Sequence, residues 1–407
     1  MSGSVPGFPI ALLENEIQEY AWGSRTALAE LLGRPIPSRE PQAEMWMGAH
    51  PRAPSRVCID GREWSLLELI RSHPREVLGP RVCERFAGRL PFLFKVLAAE
   101  KPLSIQAHPD ARQASEGYAR DEARGIARDA PMRNYPDASH KPELVCALTP
   151  FHALRGFRPV PEIRALVDRL EVPSLGAEIA CLRQDTEEAA LRGFFAGLLG
   201  LGGPRRFRVV AEVVAAAAAR AGDDAAFECV VRLHDEHPGD VGVLAPLFLN
   251  AVRLEPGQAM FLPAGELHTY LHGMSVELMA NSDNVLRGGL TAKVVDVPEL
   301  LRVLRFRASP VEILTPEADA AGSSSFRTPT DEFRLSLLEI GEGAPLTCGP
   351  DRNVEILLCT AGELCVSTIP GSQTLTLARG ASCLIPACAG SYRLTGTGTL
   401  YRASVPI

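Results

Sequence analysis

Between Pro159 and Pro238 the chain is written in Ala, Leu, Glu and Arg, whereas on both sides it runs in short apolar stretches punctuated by Pro and Gly. That interruption constrains the fold most, because a helix-period segment does not settle into a sheet. Apolar residues recur at helical spacing over residues 163–170, 187–199 and 207–221, and the run 215–219 reads as plain helix because Ala has the best helix propensity. The flanking texture is that of strands: residues 90–98 and 144–148 before the interruption, then 251–278 after it, with turns at Glu255-Pro256-Gly257 and Pro263-Ala264-Gly265. The pattern predicts a mainly β fold with an inserted α-helical domain.

A chain of 407 residues is too long for a single hydrophobic core, which stops growing near roughly 250–300 residues. The expected divisions are a first β part at 1–158, the helical insertion at 159–240, the resumed β part at 241–317 and a carboxyl-terminal β-domain at 326–407. A short helical pair is expected at 66–70 and 77–86, a helix at 297–304, and a linker in the Ala/Gly/Ser stretch 318–325. Beyond it, β-formers alternate with Gly turns at 356–359, 363–367, 374–377, 382–385 and 400–403, the spacing of a sandwich or jelly roll.

Composition excludes more than it selects. With 46% apolar and 22% charged residues the chain is ordinary globular protein, and a net charge of -7 with scattered Lys and Arg leaves no nucleic-acid footprint. Residues 1–10 lack a basic leader region, and the longest apolar run, 209–219, is broken by Glu212 and too short to span a bilayer. The ten cysteines contain no C-x-x-C pair, so free thiols and a reducing cytoplasm are expected.

Four clusters carry chemistry. Gln106 and His108 stand two apart, so a strand places both on one face; an imidazole and a neutral amide would leave a bound metal electron-poor. A purely structural pair at a strand end has the same pattern. His140-Lys141-Pro142-Glu143 leads three ionisable groups into the apolar run 144–148, where a metal would stabilise Glu143 and His140 or Lys141 would carry protons; a solvated turn is the alternative. His268 follows the turn at Pro263-Ala264-Gly265. With Gln106, His108 and Glu143 it completes one amide, two imidazoles and one carboxylate. The polar stretch 281–293 holds Asp283, Arg287, Gly288-Gly289 and Lys293, a binding loop whose guanidinium suits an enediolate or phosphate, or else an ordinary polar turn.

Tyr20-Ala21-Trp22-Gly23, Glu44-Met45-Trp46-Met47-Gly48-Ala49-His50-Pro51, and the stretches 103–109, 140–143, 266–270 and 281–291 resemble, in the same order, the signature series of type I phosphomannose isomerases. The resemblance spans about Tyr20 to Leu304 and is weakest beyond the linker. It implies a cupin-type β-sandwich or jelly-roll catalytic domain with a helical insertion and a second β-domain. It further implies one Zn2+ held by Gln106, His108, Glu143 and His268, with Arg287 as the active-site arginine. Ser139 stands where Asn usually precedes the His-Lys-Pro-Glu run, and Ala292 where Pro usually follows the Thr; these departures bear on loop geometry and substrate preference.

The implied reaction interconverts mannose 6-phosphate and fructose 6-phosphate, moving a proton between C2 and C1 through an enediol(ate). Zinc and Arg287 would meet the charge developing on oxygen, and His140, Lys141 and Asp283 are the proton carriers in view, His140 first. Lys95, Ser104 or Lys293 would meet the phosphate, and Trp22, Glu44, Lys141, Tyr270 and Glu277 would line the sugar pocket. The partner is a small sugar phosphate, without nucleic acid or membrane, and a cytoplasmic monomer is expected. Two other readings stand beside this one: a non-catalytic cupin-like sensor of metal and sugar phosphate, and an iron-dependent oxygenase, against which the amide of Gln106 speaks.

Overall fold

The computed structural model describes residues 8–318, 323–341, 343 and 345–407. Most of residues 1–10, assessed for a leader, and 319–322, at the centre of the expected linker, lie outside them. At the edges of that linker Glu317–Ala318 and Ser324–Ser325 pair as antiparallel strands.

The long strand His268–Ala280 is the spine of a ten-stranded antiparallel sheet. Its first half pairs with Phe151–Phe157 and, at His268, with Ile105–Ala107; its second half pairs with Phe92–Ala99 and Glu143–Ala147. The halves meet at Gly273, where φ is 116° and a Cβ would lie 2.6 Å from the Pro150 carbonyl oxygen. Only glycine adopts that backbone without strain. The register slips beside it, between Tyr270 and His272, and the slip changes strand parity, so His268 and Tyr270 before it and Glu277 after it line one cavity.

The helical insertion leaves the sheet at Phe157 and returns at Leu249, joining two strands that pair with each other. It contains Val160–Leu170, Gly176–Cys181, Glu187–Leu199, Gly203–Ala218 and Ala225–Glu236. Their apolar faces form one core with Ile105, Ala107, Leu154 and Leu267, so the insertion supports the back of the strand that carries Gln106. The expected helical pair at 66–86 is three short helices, broken by Pro74 and Pro80, each of which opens a new helix at its first turn.

The carboxyl-terminal strands form a nine-stranded antiparallel sheet into which the amino-terminal strand Ala11–Leu12 also pairs. The runs 356–359 and 363–367 are one strand, Glu355–Thr368, with a register shift between Cys359 and Ala361. Residues from this sheet, including Phe333, Ile356 and Tyr401, share a buried core with Phe94, Leu144, Cys146 and Val276 of the other. The fold is therefore mainly β with a helical insertion. All ten cysteines are free; Cys146, Cys348, Cys359 and Cys383 are buried, whereas Cys58 is exposed. Among the described residues no helix is long and apolar enough to cross a membrane.

Candidate metal centre

Two short strands, Ile105–Ala107 and Leu286–Gly289, stand beside the start of the long strand at the heart of the site. Gln106 lies in register with His268 on one neighbour and with Arg287 on the other. Because side chains alternate, Gln106 faces the cavity while Ile105 and Ala107 are buried in the core shared with the helices. The same alternation governs Glu143–Ala147. Glu143 faces the cavity, Val145 and Ala147 pack near Tyr270, and Leu144 and Cys146 face the carboxyl-terminal sheet.

His108, Glu143 and His268 are all buried, and their donor atoms lie within 4.8 Å of one another. Nε2 of His108 is 3.3 Å from one Glu143 oxygen and Nε2 of His268 is 3.4 Å from the other. The opposite ring nitrogens are held by backbone carbonyls: His108 Nδ1 lies 2.7 Å from Asn284 O and His268 Nδ1 lies 3.2 Å from Glu266 O. Nδ1 therefore donates in each ring, and both Nε2 atoms turn lone pairs toward a carboxylate. Burial pushes the His108 imidazole down to about 4, so a proton does not relieve the opposition. Nε2 of His108 has no hydrogen-bond partner although it is fully buried. Two imidazole lone pairs turned on one carboxylate fit a divalent cation of imidazole and carboxylate preference, zinc above all.

The cavity is lined by Gln106, Glu143 and His268 on the metal side. Lys141 enters it with Nζ 3.0 Å from Glu143 Oε1. Burial works against the Glu143 carboxylate, but the Lys141 ammonium beside it holds the group ionised, well below the usual range. On the far wall Lys95 Nζ lies 3.0 Å from Glu277 and 3.5 Å from Glu44. Tyr270 donates its hydroxyl to Glu277 at 2.9 Å, and the Trp46 indole donates to Glu44 at 2.6 Å. Burial opposes the Lys95 charge, yet the carboxylates around it hold the ammonium above its ordinary value. Burial and Glu277 likewise keep Tyr270 protonated. These groups form a rigid, mutually satisfied surface suited to sugar hydroxyls. Ser104 also lines the cavity and accepts from the Gln106 amide at 3.3 Å.

The remaining sequence candidates, Arg287, Lys293, Trp22, Asp283 and His140, do not line this cavity. Arg287 is half-buried, and among the described residues nothing hydrogen-bonds or ion-pairs with its guanidinium; desolvation alone weakens its charge. Lys293 is exposed and feels the repulsion of Arg287. Trp22 packs beside the hydrophobic cluster that contains Leu103 and Tyr270. Asp283 is held by His50 Nε2 at 3.3 Å and Arg52 at 2.8 Å, which outweigh its burial and lower its pKa. His140 is not in the cavity wall: its Nε2 lies 2.7 Å from Glu332 of the carboxyl-terminal domain. An extended segment with Lys141 and Glu143 facing in must turn His140 out.

Sequence reasoning gave no role to several groups that order the site. Asn284 grips His108 by its carbonyl and donates its amide to Asp137 O and Ser139 O. Asp137 accepts from the backbone of Ser139 and Asp283. Glu266 bridges Arg155 and Ser309 beneath His268. The polar density around Asp137 was the visible signal; the buried pairing of Trp46 with Glu44 left none.

Fold and site together define a metal-binding protein of the cupin kind with one buried cation centre. A family profile, "Phosphomannose isomerase type I, catalytic domain", matches residues 10–160, and a second, "Mannose-6-phosphate isomerase, cupin domain", matches residues 323–405. The mannose-6-phosphate isomerase of Escherichia coli (strain K12) is 42% identical over 394 residues, covering 96% of this chain and 98% of that one. The Homo sapiens protein of that name is 36% identical over 398 residues, covering 89% and 90%. A crystal structure of mannose 6-phosphate isomerase from Salmonella typhimurium with fructose 6-phosphate and zinc superimposes with a TM-score of 0.90 at 39% identity, covering 98% of this chain and all of that one. The chain belongs to the type I phosphomannose isomerase family.

Proposed function

We propose that the chain interconverts D-mannose 6-phosphate and D-fructose 6-phosphate at a zinc ion held by Gln106, His108, Glu143 and His268. One observation carries the reading: two imidazole lone pairs and a carboxylate converge in a buried corner of a polar cavity, in a chain of this family. Zinc bound there supplies a Lewis acid that polarises substrate oxygens and stabilises negative charge.

The chain's own residues account for the rest. Glu44, Lys95, Tyr270 and Glu277 hold hydroxyls along one wall, and Trp22 covers them. Arg287, without an internal anionic partner, meets the oxyanion of the enediolate or the phosphate. Lys293 and Ser104 add donors for the phosphate. Lys141 is the favoured carrier of the proton between C1 and C2, its neutral amine taking the proton from one carbon and returning it to the other, because its Nζ lies inside the cavity while His140 turns away from it. Asp283, ionised beside His50 and Arg52, is the second choice and suits ring opening by accepting a hydroxyl proton.

The domains are taken as 1–158, 159–240, 241–317 and 326–407, and the working form as a cytoplasmic monomer. A coupled assay of fructose 6-phosphate formed from mannose 6-phosphate tests the function. Sustained turnover is expected; saturable binding without turnover would make the chain a sensor.

A further inference from the structure

The strand that brings Glu143 to the metal centre has two backs to lean on. Glu143 faces the cavity and Val145 and Ala147 the apolar cluster around Tyr270, whereas the even-numbered residues face the carboxyl-terminal sheet, where the Cys146 thiol reaches Tyr401 Oη at 3.7 Å. The segment leading into it is pinned at both ends. Ser139 O accepts from Ser282 Oγ at 3.1 Å and Asn284 Nδ2 at 2.8 Å, and Pro142 O accepts from Ala280 N at 3.0 Å. Between those pins, among the described residues, the backbone of His140 and Lys141 makes no hydrogen bond to protein. The one polar anchor on the outer face of this span is the His140 side chain, held at 2.7 Å by Glu332.

Glu332 is itself fixed. The Thr330 hydroxyl donates to its carboxylate, and Phe333, next in sequence, is fully buried in the core common to both sheets. A carboxylate on a rigid loop thus grips the residue adjacent to Lys141 and three residues before Glu143. The pair is ionic in character: hydrogen bonding to Glu332 raises the His140 imidazole above its ordinary value, and against the opposing effect of burial His140 and the Thr330 hydroxyl together draw Glu332 down to about 2.

We propose that Glu332, supplied by the carboxyl-terminal β-domain, is a positioning residue for the metal centre, acting through His140 to hold Lys141 and Glu143 in place. Among the described residues the carboxyl-terminal strands contribute none to the cavity wall, and this contact gives them a part in the chemistry without touching substrate. Outer-shell partners that orient first-shell ligands commonly contribute about 10- to 100-fold in metal affinity or activity, and a misplacement of roughly 1 Å costs up to about 100-fold in rate.

The inference rests on the zinc isomerase reading, so its test is read on the metal as well as on turnover. The full-length zinc-loaded protein is challenged with a chromogenic chelator, and the rate of zinc release is followed for the parent and for Glu332→Ala, Glu332→Gln, His140→Ala and the double variant. A control, Asp331→Ala, removes the neighbouring ion pair with Arg85 but leaves the path through His140 intact. Glu332→Ala is expected to release zinc about 10-fold faster and to lower kcat more than it raises KM. Glu332→Gln, which keeps an acceptor for Nε2–H, should recover most of the loss, and the double variant should be no worse than either single one. Should Glu332→Ala fail to fold, His140→Ala removes the same contact from the other side and is read in its place. Zinc release and kcat within twofold of the parent would overturn the proposal, as would equal losses in Asp331→Ala. A parent that holds zinc but does not isomerise would sink the functional reading alone, because the release rates still decide this one.

Discussion

Gln106 and His268 stand directly opposite each other on adjacent antiparallel strands. Opposed residues on a sheet share a face, so an amide and an imidazole from stretches 162 positions apart (268 - 106) project into one corner without help from a loop. The strand of Gln106 is supported from behind by the helical insertion, which makes this half of the ligand set rigid. Replacing Gln106 by Leu keeps the volume and removes the oxygen. Zinc affinity should fall by at least the roughly 10- to 100-fold that loss of an outer-shell partner costs, measured by competition with a calibrated chelator. Parent-like affinity would remove Gln106 from the ligand set.

Arg287 lies on the other side of Gln106, half-buried and, among the described residues, without an ion pair. A guanidinium kept in that state gains most when an anion arrives. Arg287→Ala should reduce kcat by about 100- to 1,000-fold, the scale of a lost oxyanion donor, with zinc content unchanged by metal analysis. Arg287→Lys should recover little, because a point charge does not replace a planar fork of donors. Full activity in either variant would show that the anion is met elsewhere.

Gly273 sets the kink that lets His268 and Glu277 face one cavity from a single strand. At φ 116°, with a Cβ 2.6 Å from Pro150 O, Gly273→Ala should destabilise the protein by about 1–3 kcal/mol. Urea unfolding measures this, and an unchanged midpoint would mean that the kink is not strained by a side chain.

The ligand strands were legible in the sequence because two-residue spacing in 105–108 and the apolar run after Glu143 announce a strand with one polar face. The helix at 187–199 was legible from apolar spacing, and the one expected at 297–304 spans Val297–Val303; in the structure the Thr186 and Asp296 side chains cap them. The helix Ala111–Ala123 was not legible. Its buried positions are Ala114, Gly117 and Asp121, and Tyr135 packs so closely on Gly117 that no apolar stripe is needed. The outward turn of His140 was also hidden, since only a partner almost 200 residues later, Glu332, decides which face of that segment is the inside.

The His140–Glu332 pair makes stability depend on pH in a definite direction. The folded imidazole titrates above its ordinary value of 6.5, with help from Asp110, so its contribution is complete below pH 6.5 and lost as pH rises through the folded value. The folded carboxyl titrates near 2 instead of 4.5, so its contribution is complete above pH 4.5 and lost as pH falls toward 2. Glu332→Gln should therefore lower the urea midpoint most between pH 4.5 and 6.5 and less at about pH 8.5 or 3. A gap independent of pH would show that the pair is not ionic.

Isomerisation measured on one preparation before chelation, after removal of the metal to the limit of detection, and after zinc is restored bears most directly on the whole account. Conversion of mannose 6-phosphate to fructose 6-phosphate should vanish with the metal and return with stoichiometric zinc. Undiminished turnover in the metal-free protein would contradict it.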